Sequence, residues 1–139
     1  MKTLYVMCGI PGSGKSTLSR KLAEEHGLTR FSFDEMQCYT ARQFLRPAVI
    51  ALQEGKSVIL DSTHLRVNGR KAVLKAVENI QCRKICVFID TPFDECLRRN
   101  AQREARIPDV MMESTRRALE PPTIEEGWDE IIIINEDSK

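Results

Sequence analysis

A glycine-rich segment near the start of the chain limits the possible folds more than any other feature. It runs Gly9-Ile10-Pro11-Gly12-Ser13-Gly14-Lys15-Ser16 and matches the pattern G-x-x-x-x-G-K-[ST], directly after an apolar run and directly before a helical pattern. Glycines in such a loop let successive N–H groups point at phosphate oxygens, and the helix that follows adds its positive dipole end. The segment therefore predicts a phosphate-binding loop, with Lys15 on the β- and γ-phosphates of a nucleotide and the Ser16 hydroxyl on Mg²⁺.

Apolar, β-branched runs alternate with stretches long enough for helices. Because the runs are apolar almost throughout, they are typical of strands covered on both faces, as in a parallel sheet between helix layers. Gly27 is expected to end the first helix, which begins around Lys15. Pro47 predicts a break in residues 35–54, with a helix starting near that proline. The predicted strands are residues 4–9, 31–33, 57–61, 85–90 and 130–134.

Composition restricts the class of protein. The chain has 139 residues, 42% of them hydrophobic, which predicts one domain over residues 1–139. Because the formal net charge is only +1, any binding of nucleic acid must come from a local patch of positive charge. Neither a membrane-spanning run nor a cleavable signal is expected, so the predicted compartment is the cytoplasm. The five cysteines are expected to be reduced and not to bind a metal.

Missing motifs narrow the classes that use a phosphate-binding loop. No N-K-x-D sequence is present, which argues against a GTPase, and neither an ABC signature nor room for the helical lid domain of AAA+ motors is found. A small kinase remains. It needs a carboxylate to orient magnesium, a base for the acceptor hydroxyl and a mobile cation for the transferred phosphoryl group.

Each of these needs has a candidate. Asp61 ends the run 58–60 at the carboxyl edge of a strand, where open α/β sheets bind ligands, and is the predicted magnesium-orienting acid; its alternative role is to cap the next loop. Asp34 follows another strand and is the candidate general base, with Glu35 as the competing choice. Segment 98–106 holds four arginines and one acid, which suits a lid over about 98–108 that binds phosphate, although a solvated helix face is the other interpretation.

Other polar residues are less decisive. His64 lies in the loop after Asp61 and is expected either to touch substrate or to be structural. The basic residues Arg66, Arg70, Lys71 and Lys75 begin the next helix and predict either a site for a polyanionic acceptor or, more commonly, a solvated face.

With these motifs in place, the sequence resembles the kinase domain of the P-loop 5′-hydroxyl polynucleotide kinases and end-repair kinases over nearly its whole length. The tail 120–128, which leads into the run 131–134, is especially similar to the end-repair enzymes. Other matching pieces are residues 9–17, Asp34, residues 54–63, Arg99 to Arg103, and Ile107-Pro108.

The resemblance implies the P-loop NTPase three-layer fold, with a five-stranded parallel sheet in the order 2-3-1-4-5 flanked by helices. It implies transfer of the γ-phosphoryl group of ATP to the 5′-hydroxyl end of DNA or RNA with Mg²⁺, through catalytic residues Lys15, Asp34 and Arg103. Magnesium would be held at Ser16 and Asp61. The implied nucleotide-binding residues are Gly9, Pro11, Gly12, Ser13, Gly14, Lys15, Ser16, Thr17, Arg99 and Arg103.

Two alternatives remain open from the sequence. Related kinases that phosphorylate seryl-tRNA, sugars or antibiotics share the early motifs, so a small-molecule or aminoacyl-tRNA hydroxyl is a second acceptor class. A non-catalytic ATP-binding module that regulates a partner would need the phosphate-binding loop but no acceptor base.

Overall fold

The structure, a computed structural model, describes residues 1–135. Strands and helices alternate through most of the chain, and no helix of the described part is long and apolar enough to cross a membrane. In chain order the elements are β1 Thr3–Cys8, α1 Lys15–His26, β2 Thr29–Ser32, α2 Ala41–Gln53, β3 Val58–Asp61, α3 Val67–Ala76, β4 Arg83–Ile89, α4 Phe93–Ala101, α5 Asp109–Ala118, a short 3₁₀ turn Ile124–Glu126 and β5 Glu130–Ile134.

The five strands form one parallel sheet in the order β2-β3-β1-β4-β5, which confirms the expected fold and strand order. Side chains of β1 alternate between the two faces of the sheet. Leu4, Val6 and Cys8 pack with α2 and α3, whereas Met7 packs on the opposite face, where Leu18 of α1 contacts the core. The sheet is therefore covered on both faces, as its apolar strands predict.

Parallel pairing brings the carboxyl ends of the strands to one edge. In the register of the sheet, Ser32 of β2 lies opposite Asp61 of β3. The phosphate-binding loop leaves β1 at the same edge, and Asp34 follows β2 there. This edge is where open α/β sheets bind ligands.

The predicted break at Pro47 is wrong, because α2 runs through that residue from Ala41 to Gln53. Its start is fixed earlier by a capping box, in which the Thr40 hydroxyl accepts the Gln43 N–H and the Gln43 side chain reaches back to Thr40. A proline inside a helix removes one backbone bond at a cost of about 3 kcal/mol. Burial of the apolar side of α2, which includes Phe44 and Leu52, offsets that loss.

Candidate active site

A cleft of about 730 Å³ opens at the carboxyl edge of the sheet. It gathers residues from the loop after β1, from the ends of β2 and β3, and from α4 and the loop that follows it. Most of the predicted site residues therefore meet in one place. Those that line the cleft are Pro11, Gly12, Gly14, Lys15, Ser16, Thr17, Asp34, Asp61, Arg99 and Arg103.

Two glycines give the phosphate-binding loop its shape. Gly12 and Gly14 have φ values of +83° and +103°, in the left-handed region that side chains disfavour. A Cβ at Gly12 would also lie 2.6 Å from the Cys96 carbonyl oxygen. The loop is thus packed against α4, and any larger residue at Gly12 would push the two apart.

Neighbouring side chains brace this loop. The Thr91 hydroxyl donates to the Ser13 carbonyl oxygen at 2.8 Å. From α4, the Arg99 Nη1 donates to the Gly12 carbonyl oxygen at 3.2 Å. These two bonds are accepted by carbonyl oxygens of the loop and use none of its N–H groups. The first turn of an α-helix leaves its N–H groups without partners inside the helix, and in α1 that turn begins at the cleft.

Gly9 and Ser13 are not among the residues that line the cleft, although both were predicted to contact the nucleotide. The Gly9 N–H donates to the Thr63 carbonyl oxygen at 3.0 Å, and the Ser13 N–H donates to the Ile10 carbonyl oxygen at 3.2 Å. Both groups hold the loop together in this structure. Their place in the motif is explained by loop shape, because a Cβ at Gly9 would lie 2.8 Å from the Ser13 Oγ.

Lys15 lies at the base of the loop, where its Nζ donates to the Ile10 carbonyl oxygen at 3.3 Å. Burial lowers the pKa of this lysine, and the charges of Asp61 and Asp34 oppose that effect. The cation is therefore placed between the phosphate loop and the two carboxylates of the cleft.

Asp61 is 4% exposed and is held by a polar network. Its Oδ2 accepts the Ser19 hydroxyl at 2.8 Å and Arg30 Nη2 at 2.7 Å. The Ser19 Oγ also lies 3.1 Å from the Ser16 carbonyl oxygen, so Ser19 connects Asp61 to the first turn of α1. Sequence reasoning missed Arg30; the available signal was a charged residue directly before a short strand, residues 31–33, that was predicted to be covered on both faces.

The structure separates the two candidates for a general base. Asp34 is exposed and lines the cleft. The Glu35 Oε2 instead forms ion pairs with Arg30 at 2.7 Å and Arg20 at 3.2 Å. The hydrogen bond from Arg30 lowers the pKa of Glu35, so that carboxylate is both occupied and a weaker proton acceptor.

The arginines of segment 98–106 divide into two groups. Arg99 and Arg103 line the cleft. Arg98 pairs with Glu95, and Arg106 pairs with Asp109 at 3.0 Å. Arg99 also pairs with Glu95, with its Nε 3.0 Å from Oε1, so lining of the cleft and not ion pairing separates the groups. The solvated-face interpretation fits Arg98 and Arg106, and the phosphate-binding interpretation fits Arg99 and Arg103.

The loop after α4 is closed by Asn100, which is buried. Its Nδ2 donates to the Ile107 carbonyl oxygen at 2.6 Å and its Oδ1 accepts the Ile107 N–H at 3.1 Å. This pair of bonds joins the two ends of the turn that carries Arg103.

The oxygen donors of the cleft fit magnesium. Among residues 1–135, no group of three or more His, Cys, Asp or Glu side chains is placed to hold a metal ion. Mg²⁺ in phosphoryl-transfer sites takes one or two carboxylates together with substrate phosphates and waters, so a full protein cage is not required. Asp61 and the Ser16 hydroxyl, both lining the cleft, are a donor set of that kind.

Two residues after β3 are held in place by hydrogen bonds to other parts of the chain. Arg70 is fully buried, with its Nε 2.8 Å from Glu126 Oε1, and it donates to the carbonyl oxygens of His64 at 2.8 Å and Glu120 at 2.7 Å. Arg70 therefore neither faces solvent nor is free to bind an acceptor, and both predictions for this residue are wrong. The His64 ring bonds through Nδ1 to the Met7 carbonyl oxygen at 2.7 Å, and burial lowers its pKa to about 4.

The curated proteins that are similar to this chain include two whose names describe kinases. The bifunctional polynucleotide phosphatase/kinase of Schizosaccharomyces pombe is 25% identical over 130 residues, covering 90% of this chain and 31% of that protein. The L-seryl-tRNA(Sec) kinase of Methanococcus maripaludis is 24% identical over 143 residues, covering 91% of this chain and 56% of that protein. The chain thus spans about a third of the first relative and just over half of the second.

Solved structures share the fold. A fungal RNA kinase matches with a TM-score of 0.77 at 16% identity, covering 95% of this chain and 38% of that chain. A sugar kinase from Janibacter sp. matches with a TM-score of 0.74 at 20% identity, and the match covers 97% of this chain and 86% of that chain. Chaetomium thermophilum Kti12, in complex with ADP-AlF3, also matches with a TM-score of 0.74 at 19% identity. That match covers 98% of this chain and 90% of that chain.

The family model described as an AAA domain, AAA_33, matches residues 4–122. That range includes the phosphate-binding loop, both strand-end carboxylates and the two arginines of the cleft. The chain belongs to the AAA_33 family of AAA domains and is a kinase-like domain of the P-loop NTPase fold.

Proposed function

We propose that this protein is an ATP-dependent kinase that transfers the γ-phosphoryl group to the 5′-hydroxyl end of a polynucleotide. The observation that carries the proposal is the single cleft that holds Lys15, Asp34, Asp61 and Arg103 together. A phosphoryl-transfer site needs a cation on the phosphates, a metal-orienting acid, a base and an arginine, and each of the four supplies one of these.

The residues act on separate parts of the reaction. Lys15 and the N–H groups at the start of α1 hold the β- and γ-phosphates. Magnesium, when bound at Asp61 and Ser16, would neutralise phosphate charge. Asp34 takes the proton of the acceptor hydroxyl as its oxygen bonds to the γ-phosphorus, and the bond from that phosphorus to the bridging oxygen breaks to leave ADP.

Arg99 and Arg103 stabilise the charge on the phosphoryl group in transfer. We extend the proposal to segment 98–108, which acts as a lid that brings Arg103 onto ATP. Support comes from the placement of Arg103, which is exposed in the loop after α4 and lines the cleft.

The polynucleotide acceptor is supported by the relatives. One is a polynucleotide phosphatase/kinase, and an RNA kinase has the same fold. A seryl-tRNA kinase and a sugar kinase are also similar to this chain, so acceptor identity has to be measured. With a formal net charge of +1, the grip on a polynucleotide is local, close to the reacting end.

One transfer panel tests the proposal. The protein is given γ-labelled ATP and Mg²⁺ with 5′-hydroxyl DNA, 5′-hydroxyl RNA, a nucleoside 3′-phosphate, tRNA or simple sugars. We expect label on the oligonucleotides, with binding that weakens as salt rises because phosphate contacts release counterions. Label confined to tRNA or a sugar would show the other acceptor class. ATP consumption that no hydroxyl acceptor stimulates would support a regulatory module.

A further inference from the structure

A second cavity, of about 290 Å³, lies between α2, α3 and the loop after β3. It shares Phe33, Ser62 and Thr63 with the larger cleft, so the two spaces adjoin. Phe33 directly precedes the proposed base, Asp34. Anything bound in this cavity would therefore lie next to the position of the acceptor hydroxyl.

The walls of the cavity are largely apolar and aromatic. Those lining side chains are Phe33, Phe44, Leu45, His64, Leu65 and Val73. Phe33 and Phe44 pack edge to face with ring centroids 5.4 Å apart, and the His64 ring lies 6.1 Å from Phe44. Phe44 is buried and supports the other two rings, and Met7 fixes the imidazole by its hydrogen bond. The partly exposed rings of Phe33 and His64 are therefore the preformed surfaces that the cavity presents.

Size and polarity select the occupant. Pockets for drug-sized ligands span roughly 300–1,000 Å³, so a cavity of about 290 Å³ accepts one ring system and not a whole nucleotide. Aromatic walls stack on flat heterocycles of any sequence. A sugar ring would instead need several buried polar partners, and the polar side chains here, Ser62, Thr63 and Arg66, are not buried.

We propose that the second cavity binds the terminal nucleobase of the acceptor strand and so places its 5′-hydroxyl at Asp34. This inference rests on the proposed polynucleotide kinase activity. It assigns the base at the reacting end to the space between α2 and α3, while the phosphates of ATP occupy the neighbouring cleft.

The first experiment compares two acceptors on the unchanged protein. One is a 5′-hydroxyl oligonucleotide, and the other is the same strand with an abasic terminal residue. Because stacking of one base contributes strongly to binding, we expect the abasic end to raise the acceptor KM about tenfold or more, with the KM for ATP unchanged.

A cavity-filling variant gives the second arm. Gly69 lines the cavity from α3, and a Cβ there would meet no atom within 4 Å. Leucine is also a better helix former than glycine, so Gly69→Leu is expected to fold. It should raise the KM for the intact acceptor about tenfold and leave that for the abasic acceptor unchanged.

Tyr39 provides the matched control. It is an aromatic residue, 90% exposed, in the turn after Asp34 and outside the cavity. Tyr39→Ala should therefore leave the KM values of both acceptors unchanged. If it raises the KM for the intact acceptor instead, the base stacks on the exposed tyrosine and the inference is overturned.

The outcomes separate this inference from the proposed function. Transfer to oligonucleotides with equal KM for intact and abasic ends would overturn the cavity assignment while the kinase activity stands. If no polynucleotide is labelled at all, the proposed function is overturned, and the cavity assignment that rests on it falls with it. Should Gly69→Leu fail to fold by circular dichroism, the comparison of the two acceptors on the unchanged protein decides by itself.

Discussion

Arg30 and Asp61 form an ion pair across two neighbouring strands, with Nη2 and Oδ2 2.7 Å apart and side chains only 14% and 4% exposed. The same guanidinium pairs with Glu35 at 2.7 Å. Arg30 thus connects the carboxylate proposed to orient magnesium with the turn that carries the proposed base. One side chain therefore joins the end of β3 to the turn that follows β2.

Breaking this pair should strongly reduce stability. Arg30→Met leaves the Asp61 carboxylate buried without its cation, and removal of one partner of a buried pair costs about 3–5 kcal/mol. We expect a loss of that size in the free energy of unfolding, measured by urea titration. Replacing both charges, in Arg30→Met with Asp61→Asn, should recover much of it.

The exposed pair Arg83 and Glu130 is the control, with side chains 50% and 45% exposed. Arg83→Met should lower the free energy of unfolding far less than Arg30→Met, as is usual for ion pairs in water. A similar small loss for Arg30→Met would show that solvent screens the inner pair as well.

The choice of general base can be tested with two isosteric variants. Asp34→Asn removes the proposed proton acceptor and should lower kcat about 10²-fold or more, with the KM for ATP nearly unchanged. Glu35→Gln changes a carboxylate already paired with arginines and should retain most of the turnover. Measured label transfer that survives Asp34→Asn but not Glu35→Gln would reverse the assignment.

The two groups of arginines predict different kinetics. Arg103 lines the cleft, and Arg103→Ala should reduce kcat on the order of 10³-fold if the guanidinium stabilises the transition state. Arg106 lies in the same loop but pairs with Asp109, so Arg106→Ala should reduce kcat far less. Equal losses in single-turnover measurements would mean that the loop acts through its overall charge and not through one arginine.

The meeting of Asp34 and Asp61 was predictable because parallel strands end at a common edge. Asp61 ends β3 and Asp34 follows β2, so a pattern of apolar runs was enough to bring them together. Arg30 was not predictable in the same way. Its contact with Asp61 depends on the register that pairs Arg30 with Ile59 and Ser32 with Asp61, and a strand pattern does not give its neighbour's register.

The interiors of the helices were harder to predict from the sequence than the ends of the strands. Pro47 predicts a break, but the buried face of α2 and its capping box outweigh one lost hydrogen bond. Arg70 has the spacing of a surface residue, yet Glu126 and two carbonyl oxygens satisfy it fully inside the protein. The burial of α2 and the Arg70–Glu126 pair depend on partners far along the chain, which local sequence patterns do not contain, whereas the Thr40–Gln43 capping box is a local pattern.

His64 makes stability depend on pH. Burial lowers its pKa from 6.5 to about 4 in the folded state, so the unfolded chain binds a proton first as the pH falls. The stabilisation is fully present above pH 6.5 and is lost on acidification towards pH 4. The free energy of unfolding should fall by at most about 1.4 kcal/mol per pH unit in that window.

His64→Asn isolates this effect, since asparagine tolerates the positive φ of 44° and its amide can donate to the Met7 carbonyl oxygen in place of Nδ1. Urea titrations from about pH 7 to about pH 5 should show the slope in the unchanged protein and little of it in the variant. The lowered pKa values of Glu35 and Glu126 act below their ordinary 4.5, outside this range. An equal slope in both proteins would therefore assign the pH dependence to a group other than His64.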